Sequence, residues 1–158
     1  MSHAVHRYRA TCRWEGSTAV GYDAYGRAHE ATAPPATDRL QLSSDPAFLG
    51  DPGHLNPEGL LLVAASSCQM LSFLAVAARA RLDVVSYRDD AEAVMPEDDR
   101  PIRITEIRLR PQITVRAPAT ERRVLDLADL AHRECFVANS LRSEIAVVPT
   151  VTVVDDRR

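Results

Sequence analysis

The sequence predicts an α+β domain, because two segments with helical periodicity separate groups of alternating, strand-like segments. The order along the 158 residues is strands, a long apolar helix, strands, an amphipathic helix and a last strand. A chain of this length buries roughly two-thirds of the surface that its unfolded form exposes, so a single domain over residues 1–158 suffices. Within it we assign N-terminal strands to 1–42, a central helix to 56–81, and further strands with a second helix to 84–158.

The N-terminal segment HRYRATCRWE alternates between apolar and polar residues, which predicts a strand with one solvated face. Cys12 lies on the apolar face, so we expect it to be a packed, inert thiol. A second strand is expected within 22–33, before Pro34, and a short third one at 40–42. The following segment, SSDPAFLGDPGHLNPEG, is rich in turn formers and predicts an ordered loop with Phe48 turned inward.

The long helix should begin with Asn56 as N-cap and Pro57 at its first position, and should run to about Arg81. Residues 59–78 carry no charge, so the segment is long enough to cross a bilayer. The polar residues grouped at its centre argue against a membrane span: Ser66, Ser67, Gln69 and Ser72. A helix that is apolar on all sides needs protein around it, and one chain of this size has too few elements to supply that cover. We therefore expect a homodimer in which a second copy of the helix completes the core.

Two more strand segments, 84–95 and 102–115, follow the helix, the second with a phase shift near Thr105 that suggests a bulge. Thr120 opens an amphipathic helix whose apolar stripe contains Val124, Leu125, Leu127, Leu130 and Ala131. Residues 135–142 predict one or two helical turns, and the PTVTVV segment predicts the last strand.

Composition limits the classes of function. The formal net charge is −3, and the 19 basic residues, all arginine, are scattered along the chain, which disfavours nucleic-acid or anionic-membrane binding. Three cysteines without an apolar N-terminal signal segment favour a reducing cytoplasm, where any disulfide would be a working one.

Cys68, in the middle of the apolar helix, has two interpretations. A free cysteine commonly packs like a small hydrophobe. Flanked by Ser67 and Gln69, however, it could also be reached by a small apolar substrate through a narrow pocket. Cys135 differs from it, because it ends the amphipathic helix in AHREC, near polar residues and a predicted turn.

The segment NPEGLLLVAASSC, with a cysteine ten positions after Glu58, resembles the signature of the OsmC/Ohr family of organic hydroperoxide reductases. The segment HRECFVANSLR resembles the second-cysteine motif of the same family, and YDAYGRAHE and SSDPAFLGDP resemble an OsmC-like subgroup. The family resemblance implies antiparallel sheets packed around the long central helices of an intertwined homodimer.

The resemblance also implies a thiol peroxidase that acts on organic hydroperoxides without a metal or haem cofactor. Cys68 would attack the peroxide and become a sulfenic acid, and Cys135 would condense with it to a disulfide that an external dithiol of the lipoyl type reduces. Glu58 would be the carboxylate of the site. Arg27 is the first candidate for the arginine beside the thiolate, and Arg39 is the second.

A low pKa of Cys68 would not by itself explain a fast enzyme, because it gains at most about tenfold in thiolate at neutral pH. The arginine should therefore act mainly on the leaving alkoxide. Apolar walls formed by Phe48, Leu71 and Phe136 would favour alkyl or lipid hydroperoxides. Phe136 departs from the family, which often has proline after its second cysteine.

Two other functions are consistent with the residues. His132 and Cys135, spaced three apart, could join Cys68 and Glu58 around a zinc ion. The chain could also be a non-catalytic, small-molecule-binding protein of the same fold.

Overall fold

The computed structural model describes residues 4–155, which divide into two compact units, 4–60 and 61–155. The predicted alternation of strands and two helices is confirmed.

The first unit contains a three-stranded antiparallel sheet. Its strands β1 (Thr11–Arg13), β2 (His29–Thr32) and β3 (Arg39–Leu42) pair in the order β1-β2-β3. The third strand lies where the sequence predicted it, whereas the first two are shorter than predicted. The Trp14 indole N–H donates to the carbonyl of Gly26 at 2.7 Å and so closes the connection between β1 and β2.

Two predictions about this unit are wrong. Cys12 is exposed instead of packed, and so is Tyr8 on the same predicted apolar face. Phe48 is 37% exposed and therefore is not tucked inward. Alternation shows that a strand has two chemically different faces, but it does not show that any element covers one of them.

The loop before the first helix is ordered by its own polar side chains. The Asp45 carboxylate accepts hydrogen bonds from the Ala47 backbone at 2.8 Å and from the Asn56 side-chain amide at 3.0 Å. Gly50 is required there, because a Cβ atom on it would lie 1.6 Å from the carbonyl oxygen of Ser44. The side-chain Oδ1 atom of Asn56 accepts a hydrogen bond from the Gly59 backbone N–H at 2.7 Å, which confirms the predicted N-cap.

Helix α1 (Pro57–Arg79) ends two residues before the predicted Arg81. Arg81 adopts a left-handed conformation, with φ of 55°, and the N–H of buried Leu82 donates to the carbonyl of Ala77 at 2.9 Å. These features form a Schellman stop, with an arginine at the position that usually carries glycine.

Helix α1 is long and apolar enough to cross a membrane, with a mean hydropathy of 2.0 over its best 18 residues. Length and composition are weak evidence, because the core helix of a soluble protein passes the same test. In this single chain only 28% of that window is buried. The exposed side chains include Val63, Leu71 and Leu74.

The second unit contains six strands: β4 (Val84–Asp89), β5 (Glu92–Val94), β6 (Glu106–Leu109), β7 (Pro111–Arg116), β8 (Glu144–Val147) and β9 (Thr150–Val154). They form two sheets, in the orders β4-β7-β9 and β5-β6-β8. Each sheet has one antiparallel pairing, as predicted, and one parallel pairing, so both sheets of this unit are mixed. Helix α2 (Glu121–Glu134) is capped by the Thr120 hydroxyl, as predicted.

The two predicted strands at 84–95 and 102–115 are each divided between the two sheets. Asp89 stands at this division, where its carboxylate accepts from the Arg110 N–H and from the Ser66 hydroxyl, both at 2.6 Å. The break in the second segment therefore lies at Arg110 and not at the predicted bulge near Thr105. Period-two alternation continues through such a break, because both halves remain extended.

The main core of the second unit lies where α1, α2 and the β4-β7-β9 sheet pack together. Its largest buried side chain is Phe73 of α1, which contacts the ring of Tyr87 at a centroid distance of 5.7 Å. The predicted stripe of α2 is confirmed in part: Val124 and Ala131 are buried, together with Ala128. This core fixes the faces of α1 and α2 that meet.

We expect Phe73→Ala to lower the free energy of unfolding by about 3–5 kcal/mol, because it leaves a cavity in this core. Phe136→Ala is the matched control: its ring is 81% exposed, so the cost should stay within about 0.5 kcal/mol. Urea denaturation measures both values. If Phe73→Ala does not fold, Phe73→Leu should still show a loss of about 1 kcal/mol. Equal costs for the two alanine variants would contradict the assignment of the core.

Candidate active site

The two cysteines of the sequence motifs lie side by side although 67 positions separate them. Cys68 projects from the middle of α1 and is half-buried, and Cys135 follows the last residue of α2 and is 1% exposed. Gln69, buried beside Cys68, donates to the carbonyl of Ala128 at 3.3 Å and ties the two helices together. The packing of α1 on α2 therefore brings the two thiols close enough to influence each other's pKa.

The chain after Cys135 turns sharply and aims backbone N–H groups at both sulfur atoms. The N–H of Val137 donates to the Cys68 sulfur at 3.4 Å, and that of Ala138 donates to the Cys135 sulfur at 3.5 Å. This turn includes the short 3-10 helix at Ala138–Ser140, which confirms the predicted helical turn. The Asn139 amide holds the turn in place by donating to the carbonyls of Arg133 and Cys135 at 2.9 and 3.0 Å.

The environment lowers the pKa of the Cys68 thiol. Burial acts in the opposite direction, but four hydrogen bonds together outweigh it: the backbone N–H of Val137, the thiol of Cys135, the backbone N–H of Phe136 and the hydroxyl of Ser72. Each of these donors favours the thiolate over the thiol. The pKa shift thus comes from fixed dipoles, and no cation is among its causes.

The pKa of Cys135 moves the other way, to about 11. Burial is the main cause, and the neighbouring Cys68 adds to it, while the Ala138 N–H opposes it. Two adjacent thiols cannot both ionise easily, since each thiolate disfavours the other. At neutral pH the pair therefore holds one ionisable, nucleophilic sulfur at Cys68 and one protonated thiol at Cys135 that donates to it.

A pocket of about 700 Å³ opens onto Cys68 within the second unit. Its walls are mainly apolar and include Leu71 and Phe136, two of the three predicted wall residues. Phe48 belongs to the first unit and is not among the residues that line this pocket. The lining also contains Arg79, Arg133 and Glu134, which the sequence analysis missed. Helical spacing was the available signal, because Arg79 lies three turns after Cys68 on the same face.

The predicted Arg27 is held rigidly in the first unit. Its guanidinium stacks on the rings of Tyr25 and Tyr22, at 4.1 and 4.8 Å from their centroids, and donates to the carbonyls of both residues. Arg39, the second candidate, forms an exposed ion pair with Glu30 at 2.7 Å. Both arginines belong to the first unit, whereas Cys68 belongs to the second, so their catalytic assignment stays a prediction.

Glu58 lies in the first turn of α1 and is half-buried. Cys68 is ten residues farther along the same helix, a rise of about 15 Å. The two side chains therefore do not meet along one helix. Within residues 4–155 the Glu58 carboxylate forms no ion pair, and a position in the first helical turn is favourable for it by itself.

The described part of the chain contains no set of ligands that could form the hypothetical zinc site. Across residues 4–155, no three His, Cys, Asp or Glu side chains come close enough to hold a metal ion. The Nδ1 atom of His132 is buried without a hydrogen-bond partner among these residues.

The chain was compared with known proteins. The family model described as OsmC-like protein matches residues 50–150. An OsmC-like protein of unknown function from Vibrio cholerae superposes with a TM-score of 0.84 at 27% identity, over 92% of this chain and 100% of that one. No curated protein matches significantly.

Two more distant solved structures have the same fold. An organic hydroperoxide resistance protein, OsmC, from Legionella pneumophila gives a TM-score of 0.69 at 19% identity, over 96% of this chain and 100% of that one. A putative organic hydroperoxide resistance protein from Vibrio cholerae, with captopril bound in one of its active sites, gives 0.69 at 21% identity, over 94% and 93%.

The matched residues 50–150 contain both cysteine motifs and the whole of α1 and α2, so the resemblance of the motifs and the match of the fold concern the same part of the chain. The chain belongs to the OsmC-like protein family.

Proposed function

We propose that this protein is a thiol-dependent peroxidase that reduces organic hydroperoxides through a Cys68 sulfenic acid and a Cys68–Cys135 disulfide. One observation carries the proposal: two adjacent cysteines have opposite pKa shifts, and the one with the lowered pKa opens onto an apolar pocket. A cysteine buried only for packing needs neither a set of hydrogen-bond donors nor access from solvent. The names of the solved OsmC structures support a role in hydroperoxide resistance.

In the first step the Cys68 thiolate attacks the terminal oxygen of the hydroperoxide. The S–O bond forms as the O–O bond breaks, the alkoxide leaves and takes up a proton, and Cys68 becomes a sulfenic acid. The N–H groups of Phe136 and Val137 are fixed near the sulfur, so charge that moves from sulfur to oxygen stays close to donors that need no reorganisation.

In the second step Cys135 attacks the sulfenic sulfur. The S–S bond forms and the sulfenic oxygen leaves as water, which removes the proton of the Cys135 thiol. Oxidation of Cys68 also removes the thiolate that raises the pKa of Cys135, so the resolving thiol becomes easier to ionise when its attack is needed. A dithiol of the lipoyl type then reduces the disulfide by two exchange steps and is itself oxidised.

This cycle uses only cysteine sulfur and an external dithiol as redox groups, so we propose that it needs no metal or other cofactor. A reducing compartment, such as the cytoplasm, would supply the dithiol and keep the resting thiols reduced. Arg27 and Glu58 remain the proposed cation and its carboxylate partner. The cation would stabilise the leaving alkoxide, a role distinct from the amide donors around sulfur.

A homodimer would complete this arrangement. The exposed face of α1 outside the pocket carries Val63 and Leu74, which are 56% and 36% exposed in the single chain. A second α1 packed antiparallel would cover such apolar side chains. Along one helix, Glu58 and Cys68 are separated by about 15 Å. Because the second helix would run in the opposite direction, its Glu58 end would lie towards the Cys68 of the first chain.

Replacement of each cysteine by serine separates the steps of the cycle. We expect Cys68→Ser to abolish turnover of cumene hydroperoxide with a lipoyl dithiol, because no sulfenic acid can form. Cys135→Ser should allow one oxidation per chain, seen as a sulfenic acid by mass spectrometry, but little turnover. Cys12→Ser is the matched control and should behave as the wild type, since Cys12 is exposed in the first unit. Wild-type activity in Cys68→Ser would sink the mechanism.

The rate of oxidation should follow the ionisation of Cys68. Since its pKa is below that of an ordinary cysteine, the rate with cumene hydroperoxide should be constant above that pKa and fall tenfold per pH unit below it. Ser72→Ala removes one donor to the thiolate and should raise the midpoint by up to about one unit. Stopped-flow kinetics across pH measure the midpoint. Ser86→Ala, an exposed serine on β4, is the control. A midpoint unchanged by Ser72→Ala would contradict the donor role of its hydroxyl.

The dimer predicts an apparent mass of about 35 kDa in gel filtration, twice the chain mass of 17.4 kDa. Val63→Arg should shift the protein towards the monomer, because a buried, unpaired charge costs several kcal/mol. Val94→Arg is the matched control, since Val94 is 50% exposed on β5. A wild-type monomer at micromolar concentration would contradict the proposed packing.

A further inference from the structure

The pocket on Cys68 extends along α1 towards a charged end. Cys68 and Arg79 both line it and lie eleven residues, or three turns, apart on one helical face. The Cα atoms are therefore separated by about 16 Å along the helix axis. Between them the lining residues of α1 are Leu71, Ser72 and Ala75, which form a largely apolar stripe.

The Arg79 side chain can shorten this distance when it is released from Glu134 and extends along the helix. Side chains of an α-helix tilt towards its N-terminus, which for Arg79 is the direction of Cys68. An extended arginine leaves a gap of roughly 10 Å between its guanidinium and Cys68. Three bonds of an extended chain cover about 3.3–3.6 Å, so an alkyl chain of about eight carbons spans this gap. The pocket thus fits a molecule with a peroxide and an anion separated by such a chain.

The charge at the far end favours an anion. Arg79 forms an ion pair with Glu134 at 3.0 Å, and Arg133, also in the lining, has no ion-pair partner within residues 4–155. The three side chains carry one net positive charge. The side chains of Arg79 and Glu134 are 67% and 48% exposed, so their ion pair is weak and exchanges easily.

We propose that Arg79 is a specificity-determining residue. It breaks its ion pair with Glu134 and binds the carboxylate of a long-chain fatty-acid hydroperoxide, while the peroxide group of that molecule reaches Cys68. The Glu134 carboxylate occupies this position when no substrate is bound. Arg133 adds positive charge beside it. The inference rests on the proposed peroxidase function, and it adds a residue that selects charged over neutral substrates.

The test compares a fatty-acid hydroperoxide, with roughly eight carbons between its carboxylate and its peroxide-bearing carbon, with its methyl ester. Cumene hydroperoxide is the small, neutral reference substrate. In the wild type kcat/KM should be about tenfold higher for the acid than for the ester, and the ratio should fall as salt screens the charges. Equal values for acid and ester would overturn the inference.

Two variants should move this ratio in opposite directions. Arg79→Gln should bring the acid-to-ester ratio close to one. Glu134→Gln removes the competing carboxylate and should raise the ratio. Arg122→Gln is the matched control, because Arg122 is an exposed arginine of α2, paired with Asp126 at 2.9 Å, outside the lining of this pocket. A ratio that Arg79→Gln leaves unchanged would overturn the role of Arg79.

Binding separates this inference from the proposed function. Isothermal titration calorimetry of the Cys68→Ser protein with a saturated fatty acid and with its methyl ester requires no turnover. Stronger binding of the acid, lost in Cys68→Ser/Arg79→Gln, supports the anion site even if no hydroperoxide is reduced. In the active protein, stopped-flow kinetics distinguish the half-reactions: a charge dependence confined to reduction by the dithiol would assign the anion to the reductant and overturn the inference.

Discussion

The structure of the site depends on one long-range contact, in which the backbone turn after α2 donates hydrogen bonds to the sulfur atom in the middle of α1. The Val137 amide points at the Cys68 sulfur, and the Asn139 side chain holds the turn that carries it. The packing of α2 on α1 around buried Phe73 and Val124 determines the position of this turn. Core packing thereby fixes the donors that set the ionisation of a reactive group.

The same contact gives two chemically identical side chains different properties. Both cysteines are desolvated, but the donors to Cys68 outweigh burial and lower its pKa, whereas burial outweighs the opposing amides of Ala138 and Val137 and raises the pKa of Cys135. Cys68 therefore loses its proton more readily than Cys135. This order suits a reaction in which Cys68 attacks the peroxide first and Cys135 then forms the disulfide. The same core therefore supports the geometry and the order of the proposed reaction.

The apolar character of α1 serves the site as well as the core. One face packs against the sheets and α2, a second face lines the pocket with Leu71 and Ala75, and the side chain of Val63 is left exposed in the single chain. Charge enters the pocket only at its edge, through Arg79 and the end of α2. Apolar walls with a charged end match the amphiphilic substrates that we propose.

The sequence by itself determined the order of the elements, the capped start of α1, the amphipathic α2 and the two cysteine motifs, because these depend on local periodicity and on short-range hydrogen bonds. Only the tertiary structure decided that Cys12 is exposed, that the strands divide at Asp89 and Arg110, and that Arg79 and Arg133 line the pocket of Cys68. Alternation continues through a strand that passes from one sheet to another, and it gives no information on what covers a face. The opposite pKa shifts of the cysteines also required the fold, because their donors come from a turn that is 69 residues away from Cys68 and reaches it only through packing.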